Sequence, residues 1–280
     1  MIGATLWGII WYPLRVLEAS GLSGLWVTLL IYSAATIVGL YVLLVKRYAV
    51  ENRPAMWLLA LANGWCNVAF FLAIIDGNIV RVLLLFYLSP LWTVLLGCFL
   101  LKESVTKLAV LVISFAVLGA LIMLWDSDSG DLWPKTKTDW LAISSGFAFA
   151  LSNVFVRKVQ DVPDIVKTFF VWLGVVILAG IFIFISGESL PETSYGVIIT
   201  TFLLGGVLIV IMTITVVYGV TRMPVHRSAV ILLFELVAGA VSAQILTQEL
   251  VTTQEWLGGG LIVVAAIFAA KRQIRQNQQV

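Results

Sequence analysis

Apolar residues run along this chain in long stretches, broken at short polar or Gly/Pro clusters. A transmembrane helix takes roughly 20 consecutive apolar residues. The breaks predict ten such spans, at about 2–18, 24–45, 55–75, 79–101, 105–125, 138–157, 165–186, 194–220, 225–247 and 253–270. The spans must be helical, because lipid offers no partner for open strand edges. The first is short and begins almost at Met1; either it is little tilted or the true start lies upstream. The longest connection, Asp126 to Lys137, is rich in Asp, Ser and Lys and is the expected boundary between two halves. The expected units are therefore 1–125, an outer loop 126–137, a second half 138–270, and a basic then Gln/Asn-rich tail 271–280.

Composition supports the same picture. Of 280 residues, 61% are hydrophobic and 11% charged, with mean hydropathy +1.06. Soluble domains average about 45–50% apolar and about 25% charged. The excess must face lipid, and ten spans leave no room for a soluble catalytic domain. A net charge of +2 gives no basic field for nucleic acid. Cys66 and Cys98 sit inside apolar runs and are too few for a disulfide framework. The lone histidine, His226, excludes a histidine-rich metal cluster, and no cofactor is expected. The first run lacks a basic n-region and reads as a true span, not as a cleavable signal.

Lys and Arg set the orientation. With the N-terminus in the cytoplasm, 13 of the 17 basic residues fall at inner span ends; only Arg15, Arg81, Lys135 and Lys137 fall outside. Acids such as Asp76, Asp126 and Glu188 run the other way. Trp57, Trp125, Trp133, Trp140 and Trp256 mark span ends, as interfacial belts do. The expectation is a multi-pass protein of the inner (plasma) membrane with both termini cytoplasmic.

The chain also repeats. Arg81 and Arg227 are 146 residues apart, as are Glu103 and Glu249, and Thr106 and Thr252; Arg15 and Arg157 are 142 apart. A unit of five spans is odd, so the second copy enters the membrane inverted. Inverted repeats with a site between them mark secondary transporters.

Trp7-Gly8 in the first span, Leu88-Ser89-Pro90-Leu91 in the fourth, Leu101-Lys102-Glu103 after it and Leu246-Thr247-Gln248-Glu249 after the ninth complete a recognisable text. With this order and duplication the chain resembles the drug/metabolite transporter superfamily, EamA-like branch. The resemblance implies an all-α integral membrane protein of ten transmembrane helices in two inverted five-helix repeats, with alternating access. It implies peripheral fifth and tenth helices, a central cavity among the others, and export of small metabolites. Many relatives carry a proline in the ninth helix; here Leu236 matches Pro90, and beside it Glu235 matches Ser89.

Several residues carry candidate chemistry. Glu235 lies about 12–15 Å deep at 1.5 Å per residue. A charge there costs at least about 2.5–3.5 kcal/mol on the insertion scale. Ala238, Gly239 and Ser242 share its face, which therefore points at protein or a cavity. Glu235 either binds cargo and carries a proton between the two sides, or is a protonated acid bonded between helices. Trp7, Trp11 and Arg15 form one stripe with Glu18 at the next turn. They are either a cargo surface with a gating cation or an interfacial belt with a snorkelling Arg. Asn153 stands on the matching sixth span and needs a partner. Asn63 and Asn67 make a polar stripe on the third span. Tyr87 stands one turn from Pro90, which is expected to kink its helix. Thr215 and Tyr218 share a face of the eighth. Trp7, Trp11, Asn63, Asn67, Tyr87, Asn153, Tyr218 and Glu235 are the candidate substrate-binding set; each also has a packing reading. Arg15, Arg81 and Arg227 are gate candidates or topology anchors.

The reading that absorbs these features is a secondary carrier for a small metabolite, such as an amino acid or amine-bearing solute, moved by alternating access. Export rests on the resemblance alone. No Walker-type Gly-rich Lys motif occurs, so ATP does not drive it directly. An enzyme is not expected: the one histidine stands at a span end, and clustered metal ligands are absent. The alternative is a lipid-moving protein or channel on the same architecture. The expected partners are a small-molecule substrate and membrane lipid, with homo-oligomerisation left open.

Overall fold

The computed structural model describes residues 1–49, 53–76, 82, 85–102, 107–124, 134, 136–246, 253, 256–261, 263–265 and 268. Every regular element among the described residues is helical. The first apolar run holds α1 (Ile2–Ile9) and α2 (Trp11–Ala19). Next come α3 (Gly24–Lys46), α4 (Pro54–Asp76), α5 (Ser89–Leu101) and α6 (Lys107–Leu124). The later part holds α7 (Lys137–Lys158), α8 (Asp164–Ser186), α9 (Tyr195–Leu204), a π-turn (Gly205–Ile209) and α10 (Val210–Arg222). Last come α11 (Val225–Leu232) and α12 (Phe234–Leu246). The expected tenth span is described only as helical stretches within 256–261 and 263–265. Among the described residues, five helices are long and apolar enough to cross a bilayer: α3, α4 over Pro54–Ala73, α7, α8, and Tyr195–Arg222 with its π-turn included. The chain is thus a multi-pass, all-α membrane protein. Phe99 and Phe184 are 83% and 87% exposed, as side chains facing lipid would be.

Four runs depart from a single regular α-helix, one of them beside Pro90, where a kink is expected. The first breaks at Ile10. Pro13 has no N–H for the Ile9 carbonyl, and its ring crowds that carbonyl. In the fourth, helical residues give way to a turn at Tyr87 and Leu88. α5 then starts with Pro90 in its first turn, where the missing donor costs nothing. The eighth run widens into the π-turn. There Gly205 lies so close to α3 that a Cβ would sit 2.2 Å from the Ile31 carbonyl oxygen. The ninth breaks at Leu233.

α4 packs against α7 and α8; α3 packs against α8 and the π-turn; α1 packs against α10 and α12; α5 packs against α7 and α11. Exchanging each apolar run with the one five places along maps these contacts onto one another. Run one on runs eight and nine becomes run six on three and four. Run two on eight becomes run three on seven. Two glycine contacts obey the same exchange. A Cβ on Gly64 would lie 2.4 Å from the Gly174 oxygen, as one on Gly205 would from Ile31 at 2.2 Å. The partners are 141 and 143 residues apart. Lipid tails are as apolar as Leu, so helices associate through such close contacts of small residues. Between them lies the largest core cluster, with Ile31, Leu59, Trp172 and Met212 buried together.

Candidate functional site

Tyr87 occupies the turn before α5, and Glu235 stands in the first turn of α12. The two helix breaks, at Tyr87 and Leu233, are 146 residues apart, the spacing of the sequence repeat. Here the Tyr87 hydroxyl donates to Glu235 Oε1 at 2.8 Å. The bond joins the fourth apolar run to the ninth. A cleft around it is lined by Tyr87, Ser89, Pro90, Thr93, Phe149, Leu232, Leu233 and Glu235. It leaves about 10 Å³ for the centre of a water molecule. That is room for about one water.

α1 closes the other flank. A Cβ on Gly8 would lie 2.3 Å from the Glu235 carbonyl oxygen and 2.6 Å from Ala238 Cβ. The small residues on the Glu235 face thus receive a helix backbone. Trp11 Nε1 donates to Ser242 Oγ at 3.0 Å, and Ser242 donates to the Gly239 carbonyl at 2.8 Å. The Arg15 guanidinium lies 5.2 Å from the Trp11 ring centroid, and no ion pair joins it to the exposed Glu18. An exposed ion pair gains little, whereas the indole offers both apolar contact and a cation–π face. Trp7 packs against the large core cluster.

A second polar group crosses α3, α4 and α7. The Tyr32 hydroxyl donates to Asn67 Oδ1 at 3.0 Å. Asn67 Nδ2 donates to the Asn63 carbonyl at 3.0 Å and to its Oδ1 at 3.1 Å. Asn63 Nδ2 donates to Ser152 Oγ at 3.2 Å. Ser152 and Tyr32 carry no sequence signal beyond a polar atom in apolar text. The neighbouring Asn153 is buried, and its Nδ2 has no partner among the described residues.

Tyr218 is 54% exposed, with the Arg222 guanidinium 3.6 Å from its ring centroid. It is joined to an ionic cluster, not to the Tyr87–Glu235 pair. Arg227 is half-buried near the start of α11. Arg81, Glu103 and Glu249 lie outside the described residues.

The ionic cluster escapes sequence reasoning, which reads its cations only as topology signals. Lys167, fully buried, donates to Asp164 at 2.9 Å and to Thr221 Oγ1 at 2.6 Å. Arg222 reaches Asp164 at 2.6 Å, and Arg157 donates to the Thr221 carbonyl. These bonds tie α7, α8 and α10 together. Asp164→Asn leaves the Lys167 ammonium buried without its counter-charge, and such losses cost about 3 kcal/mol. The expected result is a lower unfolding midpoint in detergent, with Asp161→Asn nearly neutral as control. Arg53, hydrogen-bonded to the exposed Asp161, holds that carboxyl below the usual range. Its contribution is therefore present above the unfolded pKa and lost as pH falls through the folded one.

Tyr87→Phe deletes the hydroxyl that reaches Glu235. A hydrogen bond to a charged group contributes about 1.5–3 kcal/mol. Flux in proteoliposomes is expected to fall about tenfold or more with the fold intact; unchanged flux would remove Tyr87 from the site.

No curated protein matches the chain in sequence. Among solved structures, one crystal structure of a protein superposes with a TM-score of 0.80 at 18% identity, covering 98% of this chain and 95% of that one. At that identity the likeness is one of fold. The model of the EamA-like transporter family matches residues 1–125 and 136–270. With that match running through both halves and nearly the whole length, the chain belongs to the EamA-like transporter family.

Proposed function

We propose that this membrane transporter is a secondary carrier for a small amine-bearing metabolite. It exports its cargo by alternating access, from a membrane in which both termini face the cytoplasm. Residues 1–125 and 138–270 act as inverted five-helix repeats that rock about the Tyr87–Glu235 junction. Glu235 is the acid that cargo and protons share, and the indole of Trp11 bonds Ser242 two turns further along the same helix.

The observation that carries this reading is the Tyr87–Glu235 hydrogen bond between two interrupted helices one repeat apart. Interrupted helices meeting at the midplane are where carriers of this general design bind solute. An acid kept at membrane depth is retained for ions, protons or substrate. The exchange symmetry of the helix contacts supports the repeat.

The test is thermal stability of the purified protein against amino acids, amines, nucleosides, nucleotide sugars and hydrophobic cations. Ligand at about 100 times its dissociation constant adds about 2.7 kcal/mol. An amine-bearing ligand that shifts wild type but not Glu235→Gln is the expected result. A shift by a nucleotide sugar alone, or one indifferent to Glu235, contradicts the assignment.

A further inference from the structure

The exchange of each apolar run with the one five places along fails where α7 meets α10. These two helices pack together. The matching contact would bring α1 or α2 against α4, and among the described residues neither packs there comparably. Burial differs at the same place. Arg15 and Arg157 are 142 residues apart, and at that offset Tyr12 matches Val154 and Leu14 matches Val156. Val154 is 0% exposed and Val156 is buried, whereas Tyr12 is 42% exposed and Leu14 only half-buried. One end of the bundle is therefore shut, and the end that matches it is not.

Charged groups hold the shut end. Arg157, near the end of α7, donates to the Thr221 carbonyl, and Lys167 of α8 donates to the Thr221 hydroxyl at 2.6 Å. Arg222 reaches back to Asp164 of α8 at 2.6 Å. All three bonds meet at the last turn of α10. Carbonyls in such a turn have no partner within their helix, and they give it a partial negative charge. The Lys167 side chain is fully buried. In a buried ion pair the mutual attraction is largely offset by the hydration that both charges lose. A tie of this kind holds while it is dry and is given up readily when water enters. An apolar seam gains nothing from water and would resist opening. Arg15, the repeat mate of Arg157, is exposed, with its guanidinium 5.2 Å from the Trp11 ring centroid. The last turn of α4, which ends at Asp76, offers it carbonyls of the same kind.

We propose that Arg157, Asp164, Lys167, Thr221 and Arg222 form the closed inner gate of the carrier. Arg15 is the cation of the outer gate, which stands open here and closes on the last turn of α4 when the inner gate parts. This rests on the alternating-access reading; with both termini cytoplasmic, the shut end is the inner one.

The experiment follows the reaction of single cysteines with a membrane-impermeant maleimide, on the full chain in nanodiscs with Cys66→Ala and Cys98→Ser. Val220→Cys reports the inner gate, since Val220 is 1% exposed and shares a core cluster with Phe155 and Val156 of α7. Leu14→Cys reports the outer gate. With native gates, labelling is expected to be fast at 14 and slow at 220. Asp164→Asn takes the counter-charge from a buried ammonium, and should speed labelling at 220 by about tenfold or more while slowing it at 14. Arg15→Gln should leave 14 fast and slow labelling at 220 by about tenfold, the worth of a hydrogen bond to a charged group. Its thermal midpoint should stay unchanged, because Arg15 is exposed. Should Asp164→Asn not fold, Arg15→Gln carries the same comparison. Faster labelling at 220 with 14 unchanged, or no effect of Arg15→Gln at 220, makes the cluster a structural tie; it overturns the gate and leaves the carrier reading standing. Labelling that rises at both positions together marks a path open at both ends and overturns gate and carrier alike.

Discussion

Glu235→Gln is expected to bring proton-driven flux in proteoliposomes down to background while the protein stays folded. Gln keeps the size of Glu and an oxygen for the Tyr87 hydroxyl, which donates to Oε1 at 2.8 Å in the native chain. What it removes is the ability to hold a charge and exchange a proton. Stability should change little or rise, because a charge at this depth costs at least about 2.5–3.5 kcal/mol and is lost with the carboxyl. The pairing of lost flux with retained stability separates a working acid from a structural one. A structural acid would show the reverse, with flux per folded molecule unchanged and a lower midpoint. Glu235→Asp, which keeps the charge but shortens the reach to Tyr87, should retain part of the flux.

Gly174→Leu is expected to abolish accumulation of folded protein. A Cβ at 174 would lie 1.9 Å from the Ala60 oxygen and 2.4 Å from its carbonyl carbon. Both atoms are backbone in α4, so no side chain can swing aside; α4 and α8 would have to separate. Overpacking usually costs about 1–3 kcal/mol, occasionally more, and a backbone collision lies at the upper end. Gly180 is the control, on the same helix with nothing within 4 Å of its added Cβ. Gly180→Ala should be neutral or stabilise by up to about 1 kcal/mol, through helix propensity. Equal tolerance at both positions, read by size-exclusion yield and thermal midpoint, would mean that α4 and α8 do not meet as described.

The run-by-run placement of helices was legible because each apolar stretch is long and bounded by charge or proline. α3, α4, α7 and α8 begin and end within about two residues of the expected spans, the ordinary uncertainty of helix ends. Of the interruptions, only the one beside Pro90 was read from the sequence; the first span was expected to run unbroken through Pro13. The π-turn at Gly205, pressed against α3, and the break at Leu233 leave no mark in the apolar periodicity.

Among site residues, Tyr87 and Glu235 each stood out singly, Tyr87 for its proline and Glu235 for its depth. Their pairing is a tertiary fact. Asn63 and Asn67 were legible as one stripe, but their connection through Ser152 to α7 was not. Tyr218 was grouped with Thr215 by spacing. In the structure Thr215 turns to its own backbone and lies where a Cβ on Gly3 would touch it, while Tyr218 faces outward beneath Arg222. Each residue advances about 100° around a helix, so a small error of phase re-aims a side chain. Lys167 was read as a marker of the inner surface because charge counting does not distinguish a buried ammonium from a solvated one.

The most direct measurement is counterflow: proteoliposomes are preloaded with the amine-bearing solute that most stabilises the purified protein, and entry of the labelled solute is followed. A carrier that alternates about the Tyr87–Glu235 junction predicts saturable entry, stimulated by the internal pool and abolished by Glu235→Gln. Entry that rises linearly with external concentration and ignores both the internal pool and Glu235 would contradict it.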